Sequence, residues 1–130
     1  MKVYLRICDG FQGILLKGAT NGVDYTFQYT LDGAFKHASF DHTLSDGRTA
    51  LLSVDRGHFI YYPYWKEGDS LHYPQECWGN PESAINHFMP NLKDMWSELL
   101  ASANAEIKCK LEDVLEVWAN CTAIDLMKEI

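Results

Sequence analysis

"GILLKGATNGVDYTFQYT", residues 13–30, decides how the first half of the chain is read. Asn21-Gly22 sits between two apolar-rich runs, and both residues tolerate the positive φ that a two-residue hairpin turn requires. After the turn Val23, Tyr25, Phe27 and Tyr29 alternate with Asp24, Thr26, Gln28 and Thr30. A period of two with one apolar face predicts a half-buried antiparallel strand.

The neighbours on the C-terminal side repeat the pattern. Asp32-Gly33 turns the chain into "AFKHASF", Asp46-Gly47 precedes "RTALLSV", and Arg56-Gly57 precedes an aromatic run. Strands are expected near residues 2–8, 13–19, 23–30, 34–40, 48–54, 58–65 and 70–74. Their short connections favour pairing between successive strands, a meander.

Beyond residue 79 the period changes. Asn80 is a capping residue, with Pro81 at the first helical position and Glu82 in the first turn. Ile85, Phe88, Met89, Leu92, Met95, Trp96, Leu99 and Leu100 recur at three- and four-residue steps, an amphipathic helix pattern. Pro90 predicts a kink or short break within it. A second helical pattern runs through Leu111, Val114, Leu115 and Trp118. "AEIKCKLE" alternates apolar and charged residues, so 105–110 reads equally as helix or as a last strand. "TAIDLMKEI" is expected to end the chain as helix. The expected fold is α+β: an antiparallel β-meander of six to seven strands followed by two to three C-terminal helices packed on one face. No internal repeat or linker divides residues 1–130, so one domain is expected.

Composition narrows the classes of function. Eighteen Asp and Glu against eleven Lys and Arg give a net charge of −7. Such a surface repels phosphate backbones and anionic lipid, which argues against nucleic-acid and membrane binding and favours a basic protein partner. Residues 80–130 hold nine acids and four bases, net −5, so the acidity belongs mainly to the C-terminal part. Cys8, Cys77, Cys109 and Cys121 form no C-x-x-C pair, which predicts neither zinc nor a disulfide framework. "MKVYLRICDG" carries Lys2, Arg6 and Asp9 and lacks the apolar core of a secretory signal, and no apolar run reaches membrane-spanning length. A reduced, cytoplasmic protein is expected, and the glycosylation sequon at Asn120-Cys121-Thr122 is read as chance.

The aromatic run "HFIYYPYWKEGDSLHYPQECWGN", residues 58–80, holds seven Phe, Tyr or Trp in a chain that is 13% aromatic. On a strand, Phe59, Tyr61 and Trp65 fall on one face and Ile60, Tyr62 and Tyr64 on the other. Pro63 cannot donate to a ladder, so an edge or a bulge is expected there. The Phe59 face suits core packing. The opposite face, with Tyr62, Tyr64 and Tyr73 beside Glu67, Asp69 and Glu76, suits docking on a basic protein, because Tyr combines an apolar body with a polar tip.

Catalytic signals are sparse. His37, His42, His58, His72 and His87 form no ligand motif, and no metal or cofactor is expected. Asp41-His42 followed by Ser45-Asp46 is adjacency, not triad geometry. Asp55, His58 and Arg48 can meet near one end of the sheet with His58 as a base, although such residues are more often ordinary strand ends. Gly10 and Gly13 have the spacing of an RNA-clamping loop but lie beside Asp9 with little basic charge nearby. Met89, Met95 and Trp96 follow helical spacing and read as core.

In general character the chain resembles small acidic inhibitor proteins, such as bacterial immunity proteins and phage-borne inhibitors of host defence. This likeness is one of character, carried by no motif. The leading expectation is an immunity protein that occludes a basic, nuclease-type toxin through Tyr62, Tyr64, Glu67, Asp69, Tyr73 and Glu76. The alternative is a small-ligand-binding or minor enzymatic domain with Tyr62, His58 and Arg48 between sheet and helices. A structural subunit is a third, less favoured, because permanent interfaces are strongly apolar.

Overall fold

The computed structural model describes residues 1–20, 23–43, 49–55, 58–67, 70–72 and 90–130, with side chains for 1–20, 23–41, Ser53 and 97–130. Its strands are β1 (Lys2–Cys8), β2 (Phe11–Thr20), β3 (Val23–Tyr29), β4 (Phe35–Thr43), β5 (Thr49–Asp55), β6 (His58–Glu67) and β7 (Ser70–His72). Helix α1 (Pro90–Ala119) and a last strand, β8 (Leu126–Glu129), follow. The sheet order is β7-β6-β5-β4-β3-β2-β1-β8, with each described pair antiparallel.

Local chemistry sets the turns. Cys8 pairs with Phe11, so Asp9-Gly10 is a two-residue hairpin loop, and Gly10 adopts φ 80°, where a side chain would be strained. Between β3 and β4, Gly33 adopts φ 88°, and its N–H donates to the Thr30 carbonyl at 2.9 Å. Thr30 N–H reaches the Ala34 carbonyl at 2.9 Å, and the Thr30 hydroxyl donates to Asp32. Thr20 pairs with Val23, whereas Asn21-Gly22 lies outside the described residues.

The alternation of β3 becomes the inner face of the sheet. The register aligns Val3 with Leu16, Leu16 with Phe27 and Phe27 with Ala38, and likewise Leu5, Ile14 and Tyr29 in the next row. These residues are buried, and Phe27, Tyr29 and Phe40 are the largest fully buried side chains. Each such burial contributes roughly 1.5–3 kcal/mol. A register shift at Gln28/Tyr29 lets β4 return Phe35 to this face, where its ring meets Tyr29 edge-on at 5.7 Å. The bulge therefore adds a core aromatic instead of losing one.

Helix α1 covers this face. Ala103, Ile107 and Val114 are buried in the core cluster, and Leu99, Leu111 and Val117 pack against it. Steps of three and four residues align them along one stripe. Their opposite numbers, including Glu98, Ser102, Glu112 and Glu116, are exposed.

The expected layout is corrected in three respects. Among the described residues there is one helix, not two or three, and it is continuous through 105–110. The charged residues of "AEIKCKLE" leave on the solvent side of a helix whose Ile107 stays buried, so the local alternation does not decide. Leu115 and Trp118 are 39% and 41% exposed, so the core stripe there is Leu111, Val114 and Val117. Second, the end of the chain is strand and not helix: β8 pairs with β1 from Tyr4↔Glu129 to Ile7↔Leu126. The open edge of β1 supplies hydrogen bonds that a short terminal helix would have to find alone. Third, where side chains are described, the sheet is five strands, β8-β1-β2-β3-β4, closed by a strand from the far end of the chain instead of being a plain meander with helices after it. The helix begins at Pro90, a residue suited to a first turn. The caps expected at Asn80–Glu82 and the pattern before Pro90 lie outside the described residues.

Candidate functional site

Two surfaces are left after α1 has covered the inner face. The first is the outer face of the sheet. Alternation puts Asp24, Thr26 and Gln28 of β3 there, and pairing sets them against Asp41, Ser39 and His37 of β4. The rows continue by register into β5 and β6: Asp41 to Leu51 to Tyr62, Ser39 to Ser53 to Ile60, and His37 to Asp55 to His58. Thr49 stands opposite Tyr64. Among the described residues no element packs on this face, and Thr26, Gln28, His37 and Ser39 are half-buried within the sheet surface itself.

Asp24 and Asp41 are cross-strand partners, and both are exposed. Like charges directly opposite each other are unfavourable. The Asp41 carboxyl is accordingly raised above its ordinary range, chiefly by desolvation and further by the charge of Asp24. A cation held over the pair would relieve the repulsion.

Of the six residues expected to bind a partner, Tyr62, Tyr64 and Glu67 belong to β6 and are placed by backbone register alone. Asp69, Tyr73 and Glu76 lie outside the described residues. Pro63 is paired with Ala50, so β6 runs through it, with β5 on one side. For the suggested acid–base group, Asp55 and His58 are register partners closing the β5–β6 hairpin, with His37 one strand further, while Arg48 lies outside the described residues. Among the residues whose side chains are described, no three His, Cys, Asp or Glu gather as a metal site.

The second surface lies at the opposite edge of the sheet. A pocket of about 370 Å³ is lined by Glu116, Val117, Asn120 and Cys121 at the end of α1 and by Leu126 and Lys128 of β8. The chain enters it through a helix end capped by its own side chain: Asn120 Nδ2 donates to the Glu116 carbonyl at 2.9 Å, and Cys121 N–H donates to the Trp118 carbonyl at 3.1 Å. Arg6 then fixes the start of β8, with Nη1 at 2.6 Å from Asp125 Oδ1 and 3.1 Å from the Leu126 carbonyl. Hydrogen bonding to Asp125 raises the Arg6 pKa further above its already high value. The sequence reading missed this surface because it assigned the last segment to a helix.

The space between α1 and the described sheet is occupied by apolar side chains, and among the described residues it buries no polar or charged residue. No helix among them is long and apolar enough to cross a membrane. Comparison with protein-family models, with curated proteins and with solved structures returned no match.

Proposed function

We propose that this chain is a protein-binding module for a basic partner, and in its most specific form an immunity-type inhibitor of a nuclease-like toxin acting in the cytoplasm. The observation that carries the reading is the outer-face row Asp24–Asp41–Leu51–Tyr62, with Tyr64 in the neighbouring row. It puts an acidic pair in register with the aromatic strand, on the side of β3 and β4 that α1 leaves uncovered. Acidic side chains there would take positions that substrate phosphates occupy in a nuclease cleft, and long-range attraction would speed encounter. The net charge of −7 acts in the same direction. The ligand-binding alternative is less well supported, because the described helix–sheet interface is a packed apolar core in which the Tyr29 hydroxyl is already paired with Asn104.

The test is affinity capture from the native host followed by binding kinetics on purified partner. A basic protein should be recovered whose association slows as salt rises, since exposed charges are screened beyond roughly 8 Å at physiological ionic strength. Tyr64→Ala should act mainly on dissociation, costing about 2 kcal/mol or more, and Glu67→Gln mainly on association. Wild-type kinetics for both variants would reject this surface.

A further inference from the structure

The outermost strand at the other edge of the sheet has the features of a second docking site. β8 ends the strand order, so among the described residues one of its sides is unpaired. Its hydrogen-bond phase is fixed by one contact: Ile130 N–H donates to the Val3 carbonyl at 2.9 Å. Backbone groups alternate in direction along an antiparallel strand. Lys128 and Leu126 therefore share the phase of Ile130 and point toward β1, which leaves the N–H and C=O of Met127 and Glu129 directed at the open edge.

Beside that edge lies the pocket of about 370 Å³ between Leu126, Lys128 and the last turns of α1. An open edge gives main-chain affinity, and a pocket at alternate positions gives side-chain selection; together they make a strand-addition site. We propose that β8 accepts an extended basic segment of a partner protein as an additional antiparallel strand, with one long cationic side chain lying in this pocket. The stem of that side chain would cover Val117 and Leu126, and its head would reach Glu116.

Charge selects the occupant. Residues 111–130 contain five acids, Glu112, Asp113, Glu116, Asp125 and Glu129, against one base, Lys128. Among the described residues the ion pair is Arg6–Asp125, which leaves the other acids available to a cationic segment. A second copy of the chain is a poor occupant. It would bring the same acidic end, with five acids against one base, to an edge that is already acidic.

The inference rests on the reading of the chain as a partner for basic protein, and it concerns a different surface from the outer face. The probe is a synthetic octapeptide alternating Lys and Val, titrated into isotope-labelled protein, with a Glu–Val octapeptide as control. The amide signals of Met127 and Glu129 should move together with those of Glu116–Cys121, and the Glu–Val peptide should bind at least tenfold more weakly. Met127→Pro should abolish binding while leaving the β1–β8 ladder intact, because its N–H points away from β1 and proline is tolerated at such edge positions. Shifts confined to other strands, equal binding of both peptides, or undiminished binding by Met127→Pro would each overturn the proposal. Peptide addition at β8 without any basic protein captured from the host would instead reject only the broader reading. A captured partner indifferent to Met127→Pro would overturn the β8 site and leave that reading standing.

Discussion

Tyr29 donates a hydrogen bond from its hydroxyl to Asn104 Oδ1 at 2.7 Å, joining the centre of the sheet to α1 across 75 residues of sequence. The ring is fully buried and the bond is its polar exit, so the two groups fix the position of the helix along β3. Tyr29→Phe removes the bond but keeps the ring, and should cost about 0.5–1.5 kcal/mol in a urea melt.

The same residue predicts a pH effect. Burial pushes the Tyr29 phenol up to about 12 from an ordinary value of 10.0. The folded state holds its proton where the unfolded state has lost it, so this contribution is complete below pH 10 and declines as pH rises toward 12. Unfolding midpoints between these limits should fall more steeply for the native protein than for Tyr29→Phe. Parallel profiles would count against a phenol that is neutral because it is buried.

Gly18 and Tyr25 are cross-strand partners, and the phenol ring lies over the glycine. A Cβ at Gly18 would come closer than 3.0 Å to the ring, and the ring is held in an aromatic group with Phe27 and Phe40. Gly18→Ala should therefore destabilise by about 1–3 kcal/mol, as overpacking does. In a Tyr25→Ala background the same change should be nearly neutral or favourable, since a strand otherwise gains from replacing glycine. Additive effects in that double-mutant cycle would exclude the contact as the cause.

Some of this was readable in the sequence and some was not, and the division is physical. The alternation of Val23, Tyr25, Phe27 and Tyr29, and the turn at Asp32-Gly33, depend on neighbours within a few residues, and patterns of that range carry their own signal. "LMKE" at 126–129 becomes a strand because β1 has an edge to fill, and that edge is 119 residues away for Arg6 and Asp125. No local pattern announces such a partner. Residues 105–110 are the reverse case, where a locally strand-like alternation yields to a helix that buries Ile107. For the candidate sites, the tyrosines of β6 were found by composition. The Asp24–Asp41 pair and the pocket beside β8 emerge only from register.

Arg6 makes a further prediction possible. Its guanidinium holds Asp125 and the Leu126 carbonyl, the two groups that lead the chain into β8. Arg6→Ala should leave the global unfolding transition nearly unchanged while hastening hydrogen exchange at Lys128 and Ile130, because a four-residue edge strand opens locally. Exchange that stays slow there would mean that the β1 ladder alone holds the strand.

Asp41 ties stability to function. Its carboxyl is raised by desolvation and by Asp24, so the folded state binds this proton more tightly than the unfolded state does. The sign follows: the contribution is favourable at low pH and is lost as pH rises through the carboxylate range, leaving a repulsive pair at neutrality. Asp41→Asn should thus stabilise the protein at pH 7 by a few tenths to about 1 kcal/mol, the scale of a cross-strand pair. The gain should shrink as pH falls through the carboxylate range and Asp41 takes up its proton. If the outer face docks a basic protein, the same substitution should weaken that complex, because a cationic partner gains from the two charges that the free fold tolerates at a cost. Thermal melts across pH and association rates with the captured partner measure the two effects separately. A variant more stable at neutral pH yet unchanged in binding would place the contact away from the β3–β4 face.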